Sequence, residues 1–367
     1  MWLLELEADR LRNLKAVQLA LSSKMTALVG RNGQGKSSLL EAIYLLSTGR
    51  SFRTRRTDEL VHWDGGPLRL AGTVEGRLGA QKLGLVIDGK ERRLLLGDAP
   101  VELDQFLGRL DVVDLTAERM KVLRGEPDQR RRFLDRGLVG IDPNMLHTIG
   151  EYRRVLQHRN ALLKRPTAGL DAQLDAWDER LASAASVLHQ KRREYATRLA
   201  ATLGPVGRKI FYDEAELKLH YRPSPSAARE IETTDYKRVL VEALFQGRAQ
   251  DKTAGFTGRG PHRDDFKVDL DGIDLRRFGS AGQVRAAMIS LKFGKLTLLE
   301  QARGETPILL MDDFDSDLDE RRAAAVASFL HEGGFQAIVA TSKEEMTERL
   351  TVDFERVRVH GGRAETI

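Results

Sequence analysis

The spacing of apolar and polar positions divides the chain into a strand-rich beginning, a helical middle and a mixed end. Trp2 to Glu7 is mostly apolar with acids interspersed, Ala16 to Leu21 alternates, and Met25 to Val29 is a short apolar run, so three strands are predicted. Leu39, Leu40, Ala42, Ile43 and Leu46 then recur at helical spacing. Residues 68–97 are strand-like, with turn signals at Gly76 to Gly79 and at Asp88-Gly89. Asp111 to Leu115 suits an interior strand. Helical text runs from Ala117 to about Gly204, with a new start at Pro143 and a break at Lys164-Arg165-Pro166. The long amphipathic stretch from Leu170 to Leu203 follows that break, and together they predict an antiparallel helical pair. Residues 205–222 read as strand and 235–246 as helix. Phe266–Leu270 and Ile273–Arg276 flank Asp271-Gly272 as a hairpin. Ile308 to Met311 and Ala337 to Ala340 are short buried strands, separated by a helix with Ala323, Val326, Phe329 and Leu330 on one face.

Length and charge narrow the class. A chain of 367 residues is long for one core, so one large α/β domain with an insertion or second lobe is expected. Cysteine is absent, which excludes disulfides, thiolate-bound zinc and thiol catalysis and fits a cytoplasmic protein. The start, MWLLELEADR, carries acids where a signal peptide needs a basic region. No stretch approaches the roughly 18 apolar residues of a membrane span. A net charge of +5 suits a nucleic-acid partner without requiring one.

Candidate chemistry centres on residues 30–37, which fit G-x-x-x-x-G-K-[ST] between a predicted strand and a predicted helix. Gly30, Gly33 and Gly35 permit backbone conformations closed to side chains, so the N–H groups around Arg31, Asn32, Gln34 and Ser38 can turn toward phosphate oxygens. Lys36 is placed to reach the β- and γ-phosphates of ATP, and the Ser37 hydroxyl to hold Mg²⁺. Asp312 and Asp313 emerge from an apolar strand; the first suits the metal, the second an attacking water. Ser280 can cap a helix whose first N–H groups could also meet an anion. Gly49-Arg50-Ser51-Phe52-Arg53-Thr54-Arg55-Arg56 could set Arg50, Arg53, Arg55 and Arg56 on DNA phosphates, or be a solvated loop. The basic excess between 118 and 165 is a further nucleic-acid candidate, although solvated charge is the commoner meaning of such a face. Leu11-Arg12-Asn13-Leu14 reads as a turn.

Taken in order, these pieces resemble the ATP-binding-cassette (ABC) ATPases of the chromosome-maintenance type, and among them the RecF family. The ABC part rests on the phosphate loop, Ser280-Ala281-Gly282-Gln283, Asp312-Asp313 and Ser316-Asp317-Leu318-Asp319. The RecF part rests on Gly49-Arg50-Ser51-Phe52-Arg53, on Gly125-Glu126-Pro127 leading to Arg130-Arg131-Arg132-Phe133-Leu134-Asp135, and on Gly260-Pro261-His262-Arg263-Asp264-Asp265. The resemblance implies an α/β ABC-type ATPase head, strand-rich at its start, with a helical second lobe and no long coiled coil. Residues 1–116 would form the first part of the ATPase lobe, 117–250 the mostly helical lobe, and 251–367 the C-terminal ATPase part.

It further implies a homodimer formed around ATP, in which Ser280, Gly282 and Gln283 of one subunit cap the γ-phosphate held by Lys36 of the other. Arg12 and Asn13 match the segment near the nucleotide base. Gapped or junction DNA, the mediator proteins RecR and RecO, and the recombinase RecA are the implied partners. Asp313 replaces the usual glutamate, Thr341 a common histidine, and Thr116 falls where a glutamine is expected, so weak, DNA-stimulated hydrolysis is anticipated. His262 could join the site or be a structural turn residue. Two other classes compete: the nucleotide-binding subunit of a membrane transporter, and a DNA-binding structural protein whose ATP never turns over.

Overall fold

The computed structural model describes residues 1–21, 24–116, 122–165, 169–211, 216–312, 320–343, 345 and 354–367. Two compact units emerge: one of residues 1–121, 205–215 and 285–367, the other of 122–204 and 216–284. In this division Ser280 to Gln283 groups with the helical part.

In the first unit, β1 (Trp2–Leu11) pairs with β2 (Leu14–Ala20) and with β4 (Leu68–Gly76), which continues through β5 (Gly79–Asp88) and β6 (Glu91–Leu96) to β7 (Ala99–Val101). All these pairings are antiparallel. The second sheet has the order β15-β14-β3-β13-β12-β8, from β3 (Met25–Val29), β8 (Val112–Leu115), β12 (Ile308–Met311), β13 (Ala337–Thr341), β14 (Phe354–His360) and β15 (Arg363–Thr366). Its β14, β3, β13, β12 and β8 are mutually parallel. Parallel strands buried on both faces need continuous apolar runs, and β3, β12 and β13 are buried at every position.

Helix α1 (Lys36–Thr48) touches both sheets, meeting β1, β4 and β5 as well as β13 and β8. Leu39, Leu40, Ile43, Leu45 and Leu46 are each 0–1% exposed, and the helix is buried nearly all round, as an element between two layers must be. The C-terminal ends of β3, β13, β12 and β8 share one edge, the position where open α/β sheets place their ligands.

In the second unit, α3 (Pro127–Ile141), α4 (Met145–Lys164) and α5 (Leu170–Phe211) follow the chain, the last belonging to this unit only as far as Gly204, and α2 (Leu103–Phe106) belongs to the first unit. The expected break separates α4 from α5. Arg159 meets Asp178, and Leu163 clusters with Leu174, so the paired numbers keep a constant sum and the helices are antiparallel. The reading of 205–222 as strand is corrected at its start: α5 runs through Pro205 to Phe211, and β9 begins only at Leu217. Leu199, Leu203, Val206 and Ile210 keep helical spacing and are 0–5% exposed, so packing outweighs the hydrogen bond lost at Pro205.

Beyond β9 (Leu217–Arg222) come α6 (Tyr236–Gln246), α7 (Arg248–Ala254), the hairpin of β10 (Asp265–Leu270) and β11 (Ile273–Asp274), α8 (Leu275–Phe278) and α9 (Ala281–Arg303). Helix α10 (Glu320–Glu332) lies between β12 and β13 in the chain. Among the described residues no helix is long and apolar enough to cross a membrane.

The two family-like stretches interlock inside the second unit. Arg130, 1% exposed, forks onto Asp265 at 2.5 and 2.9 Å and donates to the Gly125 carbonyl at 2.6 Å. Arg131 donates to the Asp264 carbonyl at 3.0 Å. Arg192 joins Asp135 at 2.7 Å to Asp264 at 3.0 Å. These residues are scaffold, which removes Arg130 from the basic surface read between 118 and 165. Removing one partner of such a buried fork would leave the other charge uncompensated in the interior.

Candidate active site

The loop 30–35 turns from β3 into α1 with Gly33 at φ 80° and Gly35 at φ 120°, values that favour glycine. A Cβ on Gly35 would also stand 2.8 Å from a methyl of Leu14. Gly30 has a steric reason of its own, because a Cβ there would lie 2.3 Å from the Val359 carbonyl oxygen on β14. Gln34 closes the other side: its side-chain oxygen accepts from Gly361 N–H at 2.7 Å and its carbonyl from Gly362 N–H at 3.1 Å. Arg31 and Asn32 are exposed at the loop tip.

The Lys36 ammonium bends back over the loop, donating to the carbonyls of Gly30 at 2.5 Å and Arg31 at 3.2 Å. The first-turn N–H groups of α1 have no intrahelical acceptors and carry the positive end of the helix dipole toward the same space. Ser37 Oγ donates to Asp312 Oδ1 at 2.9 Å, across 275 positions of sequence. This juxtaposition brings the two expected metal ligands together. Mg²⁺ commonly takes one or two protein oxygens and completes its shell with phosphates and water. An alcohol and a carboxylate in contact beside a phosphate loop fit that demand.

Asn13 braces the loop, its amide donating to the Gly33 carbonyl at 3.1 Å and its oxygen accepting from Ser38 Oγ at 2.8 Å. Arg12, at φ 52°, forks onto Glu41 at 2.5 and 3.0 Å, a contact that holds its guanidinium above its usual pKa. Glu41 has no solvent exposure and also accepts from Ser51 Oγ. Ser51 in turn takes the N–H groups of Arg53 and Thr54 at 2.9 and 3.0 Å. One carboxylate on α1 thus organises both the Arg12 turn and the arginine-rich loop.

The four loop arginines separate. Arg53 stands 3.7 Å from Asp312 and 3.9 Å from Glu41, at the nucleotide side of the loop. Arg56 pairs with Asp58 at 2.6 Å and with Glu59 at 3.3 Å. Arg50 and Arg55 are exposed.

Thr341 ends β13 with no exposure, its hydroxyl accepting from Lys343 N–H at 3.1 Å. Thr116 is buried at the end of β8, next to Asp312, whose N–H bonds the Leu115 carbonyl at 3.0 Å. Ser280 and Gln283 form a reciprocal cap in the second unit: Gln283 N–H reaches Ser280 Oγ at 3.2 Å, and Ser280 N–H reaches the Gln283 side-chain oxygen at 2.8 Å. Gly282 lies inside that first turn.

His262 is held at both ring nitrogens. Its Nδ1 shares a hydrogen with Tyr152 at 2.6 Å, its Nε2 meets the Thr257 carbonyl at 2.8 Å, and burial pushes its pKa down to about 4. Asp313 and the turn Ser316 to Asp319 fall outside the described residues.

Residues 2–99 match the family model described as the RecF/RecN/SMC N terminal domain. A DNA replication and repair protein RecF of Myxococcus xanthus is 35% identical over 373 residues, covering 99% of this chain and 96% of the relative. The RecF protein of Geotalea uraniireducens is 34% identical, with 90% of each chain covered. The chain belongs to the RecF family. A solved structure of the recombination mediator protein RecF with ATP superposes with a TM-score of 0.90 at 30% identity, covering 100% of this chain and 97% of that one. A structure of an SMC head bound to the winged-helix domain of ScpA gives 0.60 at 14% identity and shows likeness of fold. The ABC-type ATPase head expected from the motifs is therefore the fold of this RecF family member.

Two features of the site were not legible in the sequence. Glu41 sits in Leu39-Leu40-Glu41-Ala42-Ile43, where only an acid at a core-facing helical position hints at a buried partner. The Gly361-Gly362 turn that holds Gln34 belongs to β14–β15, which the sequence reading did not identify. Alternation at Val357 and Val359 before a glycine pair was the available signal.

Proposed function

We propose that this protein is an ATP-dependent DNA-binding mediator of recombination, acting in the cytoplasm in DNA replication and repair. The observation that carries the reading is the contact of Ser37 with Asp312 beside the Lys36-bearing loop, in a chain of the RecF family. In this reading Lys36 moves from the loop carbonyls onto the β- and γ-phosphates, and Ser37 and Asp312 hold Mg²⁺. The bound cation would neutralise charge that develops on the phosphates during hydrolysis.

Asp313 orients the attacking water, and Arg12 and Asn13 border the base side. Ser280, Gly282 and Gln283 of a second copy cap the γ-phosphate, so ATP joins two subunits. Gapped or junction DNA is the substrate surface, hydrolysis is weak and DNA-stimulated, and RecR, RecO and RecA are the partners in recombinase loading. The exposed Arg50 and Arg55 are the members of their loop best placed for phosphate contact. The likeness to a RecF structure with ATP supports the nucleotide, and the names of the relatives support the repair setting.

Sizing in solution with and without ATP and Mg²⁺, repeated with duplex, single-stranded and gapped DNA, tests the reading. ATP should shift the protein to a dimer, and gapped DNA should favour that dimer. Lys36→Ala should lose about 2–4 kcal/mol of ATP affinity, as a charge-assisted contact disappears. Wild-type ATP affinity in that variant would dismiss the site.

A further inference from the structure

The second unit holds a cavity of about 530 Å³ between α5, the outer face of the β9–β10 pair and the turn that follows β9. Arg193 comes from α5, His220 and Arg222 from β9, Arg229 from the turn, and Lys267 and Asp269 from β10. Strand register explains the convergence: His220 lies opposite Lys267 and Arg222 opposite Asp265, so alternate side chains of both strands share one face. Four permanent cations thus line the cavity with one carboxylate, Asp269, while Asp265 is held by Arg130. Asp269 is already committed to Lys267, whose ammonium lies 2.6 and 2.8 Å from its two oxygens. Arg193 donates to the Ile231 carbonyl at 2.6 Å, which fixes the turn without neutralising the charge. Arg222 and Arg229 are exposed and form no ion pair among the described residues.

We propose that this cavity is a second anion site, and that it holds phosphodiester groups of a DNA strand. The inference rests on the DNA-binding reading above and adds to it a site in the other unit. Three arginines to one lysine favour a ligand with paired oxygens, since a guanidinium donates two parallel hydrogen bonds to a phosphate. A protein segment would need an apolar anchor, yet the apolar lining residues Pro223 and Ala228 are buried. Tyr221 also lines the cavity with its hydroxyl turned inward to the buried Asp264, and a base stacked on its ring would add no sequence preference. The cavity therefore recognises backbone charge without reading sequence.

Salt-dependent DNA binding by the full-length protein provides the test, with Arg222→Ala and Arg229→Ala combined in one variant. Neither residue supports the fold through an ion pair, and an unchanged melting curve will verify this. The plot of log K against log salt should flatten by about 1.8 if both contact duplex phosphates, at roughly 0.9 per contact. A control variant, Arg180→Ala with Arg238→Ala, removes two exposed arginines of the same unit outside the cavity and should keep the parental slope.

Equal slopes in the parent and the cavity variant would overturn the site while leaving DNA binding by the protein intact. Equal flattening in cavity and control variants would mean diffuse charge, which also overturns it. A parent that binds no DNA would bring down the underlying reading together with the site. Titration with labelled ATP separates the sources of phosphate. The cavity variant should bind ATP as the parent does, and loss of a second bound equivalent would assign the cavity to free nucleotide instead.

Discussion

Arg12 and Glu41 show how much of this site depends on one contact. Glu41 is wholly buried, whereas the Arg12 side chain keeps 23% of its exposure, so the two halves of the pair have unequal alternatives. Arg12→Ala leaves the buried carboxylate with the Ser51 hydroxyl and the Arg53 guanidinium 3.9 Å away, and should cost about 3 kcal/mol of stability. Glu41→Ala releases a guanidinium that can turn to water and should cost about 1–2 kcal/mol beyond the lost packing. The double variant should fall short of the sum by at least about 1 kcal/mol, as neighbours in contact do. Urea denaturation of the four proteins measures this. Additive losses would show that the fork contributes nothing as a pair. The same logic accounts for the position of Arg53, which faces Asp312 and Glu41 although composition alone recommended it for DNA.

At the level of elements, the long helix α5 carries His189 into the second unit's core. The imidazole is fully buried and stacks on Tyr236 of α6 at 3.9 Å and 6°. Neither ring nitrogen has a hydrogen-bond partner among the described residues. Burial first, then the nearby Arg193 and Arg192, push its pKa down to about 4. The folded value lies below the roughly 6.5 of an unfolded histidine. On acidification the unfolded chain therefore takes up the proton first. The stabilising contribution is complete above about pH 6.5 and is lost as pH falls toward 4. His262 follows the same course, since burial holds it near 4 as well.

His189→Phe keeps the stacked ring and removes one of these titrations. Relative to the parent, the variant should gain on the order of 1–2 kcal/mol at pH 5 compared with pH 7.5. Thermal melts at both pH values provide the comparison, and an identical pH dependence would clear His189 of any part in acid sensitivity.

For the whole molecule, the proposed dimer makes each nucleotide site a composite of two chains. Ser280→Arg would place a bulky cation at a helix start that must approach a γ-phosphate, while its own phosphate loop is untouched. ATP binding should persist, and dimerisation and hydrolysis should both disappear. Mixing Ser280→Arg with Lys36→Ala creates dimers in which one composite site has both residues intact and the other has neither. ATPase activity should reappear in the mixture, with size-exclusion chromatography confirming the mixed dimer. If Ser280→Arg alone abolishes ATP binding, the segment serves its own chain and the clamp is wrong.

What the chain reveals without its fold is whatever a short stretch encodes. Gly30 to Ser37 is legible because one loop carries the glycines, the lysine and the hydroxyl, and each residue type follows from phosphate chemistry. Strands β3, β12 and β13 are legible because parallel strands buried on both faces require unbroken apolar runs. Pairings over long distances are decided only by tertiary structure. The meeting of Ser37 with Asp312 bridges 275 positions, and the hold of Gly361 on Gln34 bridges 327. Local pattern also misleads where packing overrules it, as at residues 205–211, where buried Val206 and Ile210 keep α5 helical through a proline. Arg130 makes the same point for charge. Three adjacent arginines suggest a surface, and only a carboxylate 135 positions away makes the first of them part of the interior.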